Sequence, residues 1–136
     1  MSRPDTFFNL ADLSAGIART LSPGISTSIF AGEQAMISVV SFEPDSVGTI
    51  HSHPEEQWGV LIAGSVRIQG GESVPVTNGD FWLTPGGVDH GFTAGPEGAT
   101  VMDILAPPRD AYRTAGSGFA SGLPGDGRVD RTDVRP

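Results

Sequence analysis

Apolar and polar residues alternate along this chain in short runs, each only long enough for one strand. Residues 17–21, 25–30, 36–42, 48–53, 57–62, 65–69, 81–84, 90–93 and 99–105 are β-leaning, with Ile, Val, Phe and Thr recurring at close intervals. Turn-forming groups separate them: Ser22-Pro23-Gly24, Glu43-Pro44-Asp45-Ser46, Gly70-Gly71 and Asn78-Gly79-Asp80. Gly64 closes the run 57–62, after which 65–69 is expected to return as a separate strand. No stretch sustains an apolar period of 3.6 residues, so helices are minor. About nine strands of four to seven residues, with turns every 8 to 12, predict an all-β sandwich or barrel.

The same pattern divides the chain. Residues 1–35 form an N-terminal arm whose short strands pack on the body. A small helical turn is expected near residues 9–13, held by Phe7 and Phe8. Residues 36–114 form the barrel. From residue 115 on, Gly, Pro, Asp and Arg dominate with few apolar anchors, which predicts a flexible tail. The alternative for that stretch is a segment that docks on a partner subunit.

Composition narrows the partners. The 136 residues suffice for one domain and one core. Sixteen acidic residues against eight basic ones give a net charge of −8, which argues against nucleic acid or an anionic membrane as partner. All eight basic residues are Arg, so no Schiff-base lysine is available. The absence of Cys removes disulfides and thiolate ligands. With no long apolar run and no signal-peptide layout, the expectation is a soluble, cytoplasmic protein.

The chain contains three histidines, all within two short patterns: His51-Ser52-His53-Pro54-Glu55-Glu56-Gln57 and Pro85-Gly86-Gly87-Val88-Asp89-His90. Strand alternation projects His51 and His53 to one side. Pro54 ends that run, and Gln57 starts the next strand facing the same interior. The Pro85-Gly86-Gly87 corner delivers His90. Three imidazoles and one amide oxygen are borderline ligands, suited to one divalent transition metal: Zn, Ni, Fe, Mn or Co.

The spacing His-x-His-x3-Gln-x6-Gly, followed by Gly-x5-Pro-x-Gly-x2-His, resembles the two motifs of the cupin superfamily over residues 36–112. The resemblance implies a double-stranded β-helix, or jelly-roll barrel, and a homodimer. Gln57 stands where the first motif usually has Glu. Asp45 and Ala94 replace a usual Gly and a usual Asn. A neutral Gln leaves a dication uncompensated, and so a stronger Lewis acid toward an anionic ligand.

Beyond the histidines, Asp103 shares one strand face with Val101 and Leu105, where a carboxyl group serves as a general acid/base or in a hydrogen-bonded structural role. Pro107-Pro108 stiffens the approach to Arg109, which reads as a bidentate carboxylate clamp or as a surface residue paired with an acid such as Asp110. Together these residues resemble the small cupins of pectin and alginate breakdown that linearise unsaturated uronates. In that family three His and one Gln hold the metal, matching His51, His53, Gln57 and His90. Its active-site Asp, aromatic and Arg match Asp103, Leu105 and Arg109. The implied activity is a metal-dependent isomerisation of a small carboxylate-bearing substrate. The alternatives are a metal-dependent dioxygenase or lyase on another small acid, and a non-catalytic small-molecule-binding cupin. Trp58 and Trp82 read as wall packing or a dimer contact before substrate stacking, and Arg67 as a pocket cation or a surface residue.

Overall fold

Period-two alternation becomes facing, one strand at a time. In β2 (Ile25–Ala31) Ile25, Thr27 and Ile29 are buried while Ser26 is exposed. β3 (Met36–Phe42) turns Met36, Ser38, Val40 and Phe42 inward. The computed structural model describes residues 3–119. Among them the other strands are β1 (Ile17–Ser22), β4 (Glu56–Gln69), β5 (Val74–Val76), β6 (Phe81–Thr84), β7 (Gly91–Ala106) and β8 (Gly116–Ser117). They form one sheet in the order β5-β4-β7-β3-β2-β1-β8, with β6 on β4, and the path does not close on itself. Each pairing is antiparallel except that of β1 with β8.

Two long strands make a jelly roll of this sheet. β4 and β7 pair along most of their lengths, with register shifts between Leu61 and Ala63 and between Gly64 and Val66. Gly64 takes a φ of +80°, and a Cβ there would sit 2.0 Å from the Gly98 carbonyl oxygen. Only glycine lets the two backbones approach so closely in that conformation. The expected turn at Gly64 is therefore a bend inside a continuous strand, and residues 65–69 do not return as a separate one. Residues 91–93 and 99–105 likewise belong to opposite halves of β7, and His90 precedes it in a bridge to His51. Side chains from both halves of each strand, Leu61 with Val66 and Phe92 with Val101, meet in one core with Ile25, Ile29, Met36 and Val40. Burying each such side chain contributes about 1.5–3 kcal/mol.

Three other expectations change. Residues 9–13 form turns instead of a helical turn, because Asn9 Oδ1 accepts the Ala11 N–H and Asp12 Oδ1 the Ser14 N–H. Phe8 does rest on Phe30, with ring centroids 4.7 Å apart, but Phe7 and Phe8 stay largely exposed. Residues 48–53 are an irregular connection pinned by bridges at Val47 and His51. The stretch expected to be a flexible tail from residue 115 begins instead as β8, laid on β1. The remainder of that stretch, residues 120–136, lies outside the described residues. A single 3-10 turn, Asp110–Arg113, carries the buried Tyr112 between β7 and β8.

Candidate metal centre

Interior register places the site. Gly59 of β4, Asp103 of β7 and Ser38 of β3 are direct cross-strand partners, and Gln57 lies two residues before Gly59, on the same face. The ring of Trp82 covers Gly59, where an added Cβ would be 2.5 Å from it. Trp82 also meets Phe92 edge-on at 5.8 Å, so it packs the wall, whereas Trp58 faces outward. At the end of this row, the backbones of His51 and His90 exchange two hydrogen bonds, 2.9 and 2.8 Å. Gly86 lets the second motif seat against the first: a Cβ there would lie 2.2 Å from the Pro54 carbonyl oxygen. The adjoining Gly87 N–H donates to the His53 carbonyl at 2.8 Å.

The structure thus brings the three imidazoles together, with one potential ligand atom from each within 4.8 Å of the others. Each ring's Nδ1 faces a backbone carbonyl two residues away: Thr49 at 3.0 Å for His51, Glu55 at 3.1 Å for His53, Val88 at 2.9 Å for His90. A carbonyl can only accept, so each Nδ1 carries the proton and each Nε2 presents a lone pair. His90 Nε2 is buried with no hydrogen-bond partner. His53 Nε2 and Gln57 Oε1 lie 3.0 Å apart, two acceptors facing each other across a distance that a shared cation reconciles. Burial lowers the pKa of all three rings. Neighbouring His90 and Arg109 add to the effect on His53, which falls to about 3. The rings are therefore neutral at physiological pH, the form that can ligate a metal. Three imidazole lone pairs and an amide oxygen fit a divalent first-row metal.

Asp103 and Arg109 occupy different places. Asp103 lines a cavity of about 30 Å³ together with His51, Gln57, His90, Leu105 and Phe119. Burial raises its pKa to about 7, against the pull of a Gln57 side-chain hydrogen bond. Arg109 is fully buried and does not line this cavity. Its Nη1 lies 3.6 Å from Glu55 Oε1, its guanidinium sits 5.1 Å from the Tyr112 ring centroid, and its Nη2 donates to the Phe119 carbonyl. The surface pairing considered for Arg109 with Asp110 does not occur; Asp110 pairs with Arg113. Arg67 is on the surface, donating to Ser73 at 2.9 Å.

Four residues at or around the centre carry no motif. Glu55 is buried, and its carboxylate lies 3.5 Å from His53 Nδ1 as well as beside Arg109. Arg19 is buried and, like Arg109, lies over the Tyr112 ring. Alternation could have revealed Arg19, which shares the inward face of β1 with Ile17 and Leu21. Tyr112 and Phe119 follow β7, and nothing local marks them. Phe119 supplies the cavity aromatic that Leu105 does not: its ring lies over His51, centroids 4.0 Å apart at 30°.

The Cupin domain family matches residues 38–105 of the chain. Among curated proteins, oxalate decarboxylase OxdC of Bacillus subtilis (strain 168) is 35% identical over 69 residues, 46% of this chain and 18% of that protein. The match thus spans less than a fifth of that relative's length. An RmlC-like cupin from Shewanella frigidimarina superposes with a TM-score of 0.69 at 21% identity, covering 82% of this chain and 99% of that one. KdgF from Halomonas sp. gives 0.69 at 27% identity, covering 79% and 98%. No helix among the described residues is long and apolar enough to cross a membrane.

Proposed function

The chain belongs to the cupin family, and from that premise we propose that it is a metal-dependent enzyme acting on a small carboxylate-bearing substrate. The reaction we favour is linearisation of a 4,5-unsaturated uronate to its 5-keto-4-deoxy form. One observation carries this reading. His51, His90 and Gln57 share a small cavity with a carboxyl group, Asp103, whose pKa is raised to about 7. A group poised there both takes and gives a proton near neutral pH. A divalent ion held by His51, His53, Gln57 and His90 supplies Lewis acidity toward the substrate oxygens. Asp103 accepts the proton of the anomeric hydroxyl as the ring C–O bond breaks and the ring oxygen leaves as an enolate, and returns it to C4 as the enolate becomes a ketone. No water or redox partner is consumed. Arg109 serves as the carboxylate-binding cation beside this centre once the Phe119 carbonyl that its Nη2 holds has moved away. The similarity to KdgF, over 79% of this chain and 98% of that one, supports the choice.

The match to oxalate decarboxylase favours a second reading, a lyase reaction on a small dicarboxylate. The two separate in one assay of untagged, metal-repleted protein. An unsaturated uronate should lose the absorbance of its conjugated enol ether, and oxalate should release no carbon dioxide. Carbon dioxide from oxalate with an unchanged uronate would reverse the assignment.

A further inference from the structure

Two buried arginines strap the chain across the cavity at residues 116–119. β8 pairs with β1 through Arg19–Gly116 and Thr20–Ser117, and the Gly118 N–H donates to the Thr20 carbonyl at 2.6 Å. Arg19 donates to the carbonyls of Gly118 (2.8 Å), Ser117 (3.0 Å), Ala111 (3.2 Å) and Thr114 (3.3 Å). Arg109 donates to the carbonyl of Phe119. Tyr112 lies between the two guanidinium groups, 5.0 and 5.1 Å from its ring centroid. The strap so held lays the Phe119 ring on His51, and with it in place the cavity is about 30 Å³. That is room for an ion and a water or two, far short of a sugar acid.

A two-residue strand is a weak attachment by itself. The strap's anchors are guanidinium bonds to neutral carbonyls, whereas a carboxylate brings a full opposite charge and can pair with a guanidinium through two parallel bonds. We propose that residues 116–119 are the gate of the metal centre, with Phe119 its ligand-contact residue. In the closed form the Phe119 carbonyl occupies the Arg109 donor that a ligand carboxylate takes, and the phenyl ring covers His51. An entering small carboxylate displaces that carbonyl and the strap swings out. The carboxylate rests on the function proposed above; the gate does not.

The chain's own composition makes the gate measurable. Its three histidines all lie in the centre and it has no cysteine. Ethoxyformylation of untagged, metal-free protein by diethyl pyrocarbonate, followed by the absorbance of ethoxyformyl-imidazole after any reductant has been removed, therefore reports on the centre alone. The acyl group is transferred to the neutral Nε2, with loss of ethanol and carbon dioxide. Thr20→Cys with Ser117→Cys, in-register neighbours, forms a single staple on oxidation, at a separation that disulfides span. The oxidised double variant is expected to react at least about tenfold more slowly than the same protein reduced, since the reagent must wait for local opening. Phe119→Ala is expected to react at least about tenfold faster than wild type, with an unchanged circular dichroism spectrum. Equal rates in either comparison overturn the gate. Titration of the metal-loaded stapled protein with an unsaturated uronate then tests the ligand. Binding only after reduction supports the exchange at Arg109. Binding to neither form overturns the carboxylate assignment, while the histidine rates decide the gate independently.

Discussion

Replacing Asp103 with Asn should change how the stability of the metal-free protein depends on pH. The carboxyl group is buried beside Gly59 and Ser38, neither of which carries charge, and its pKa rises from 3.8 to about 7. At about 1.4 kcal/mol per pH unit, ionising it in place costs about 4 kcal/mol. The folded state holds this proton more tightly than the unfolded state does. Its stabilisation is therefore complete below about pH 4, is lost as pH rises toward 7, and changes no further above that. The three histidines have depressed pKa values and act in the opposite sense, reducing stability as pH falls below 6.5. They are present in both proteins, so comparing the two isolates Asp103. Urea unfolding of each protein, followed by tryptophan fluorescence between about pH 4 and pH 8, is the assay. The Asn variant should gain about 4 kcal/mol on wild type across that range. A difference that stays constant with pH would show that Asp103 is not held as a neutral acid, and the proton-transfer role would lose its basis.

Gln57→Glu should hold a divalent ion at least about tenfold more tightly in chelator competition, because a unit charge replaces an amide dipole at the ligand position; unchanged retention would place Gln57 outside the ligand set. Arg109→Met leaves Glu55 and the Phe119 carbonyl without their guanidinium and should lower stability by about 3–5 kcal/mol. It should also speed histidine modification, and an unaltered unfolding midpoint would refute this account of Arg109. The homodimer implied by family resemblance we place on the outer face of β4 and β6, where Trp58 and Leu83 are cross-strand partners, 40% and 44% exposed. Sedimentation should show a dimer that Trp58→Glu combined with Leu83→Lys converts to monomer; a dimer that survives both changes uses another surface.

The sequence by itself determined the all-β class and singled out the donor set of the candidate metal centre. Both are local matters: period two decides which side of a strand a residue faces, and the two motifs fix the spacing of His51, His53, Gln57 and His90. It also set Asp103 on an apolar interior face, where burial alone accounts for the direction of its pKa. Tertiary structure decided what depends on residues far apart in the chain. Gly64 is equally compatible with a turn or a bend, and the pairing of β4 with β7 selects the bend. Arg109 reads as a clamp on the sequence, but packing against Glu55, Tyr112 and Phe119 buries it behind the cavity wall. Arg19 and Gly118, 99 residues apart, meet at the same wall. Residues 116–119 have no apolar period to mark them, yet they dock, because two buried guanidinium groups need acceptors and the strap's carbonyls supply them. That demand arises only once the barrel has formed around the arginines, so nothing in the local pattern announces it.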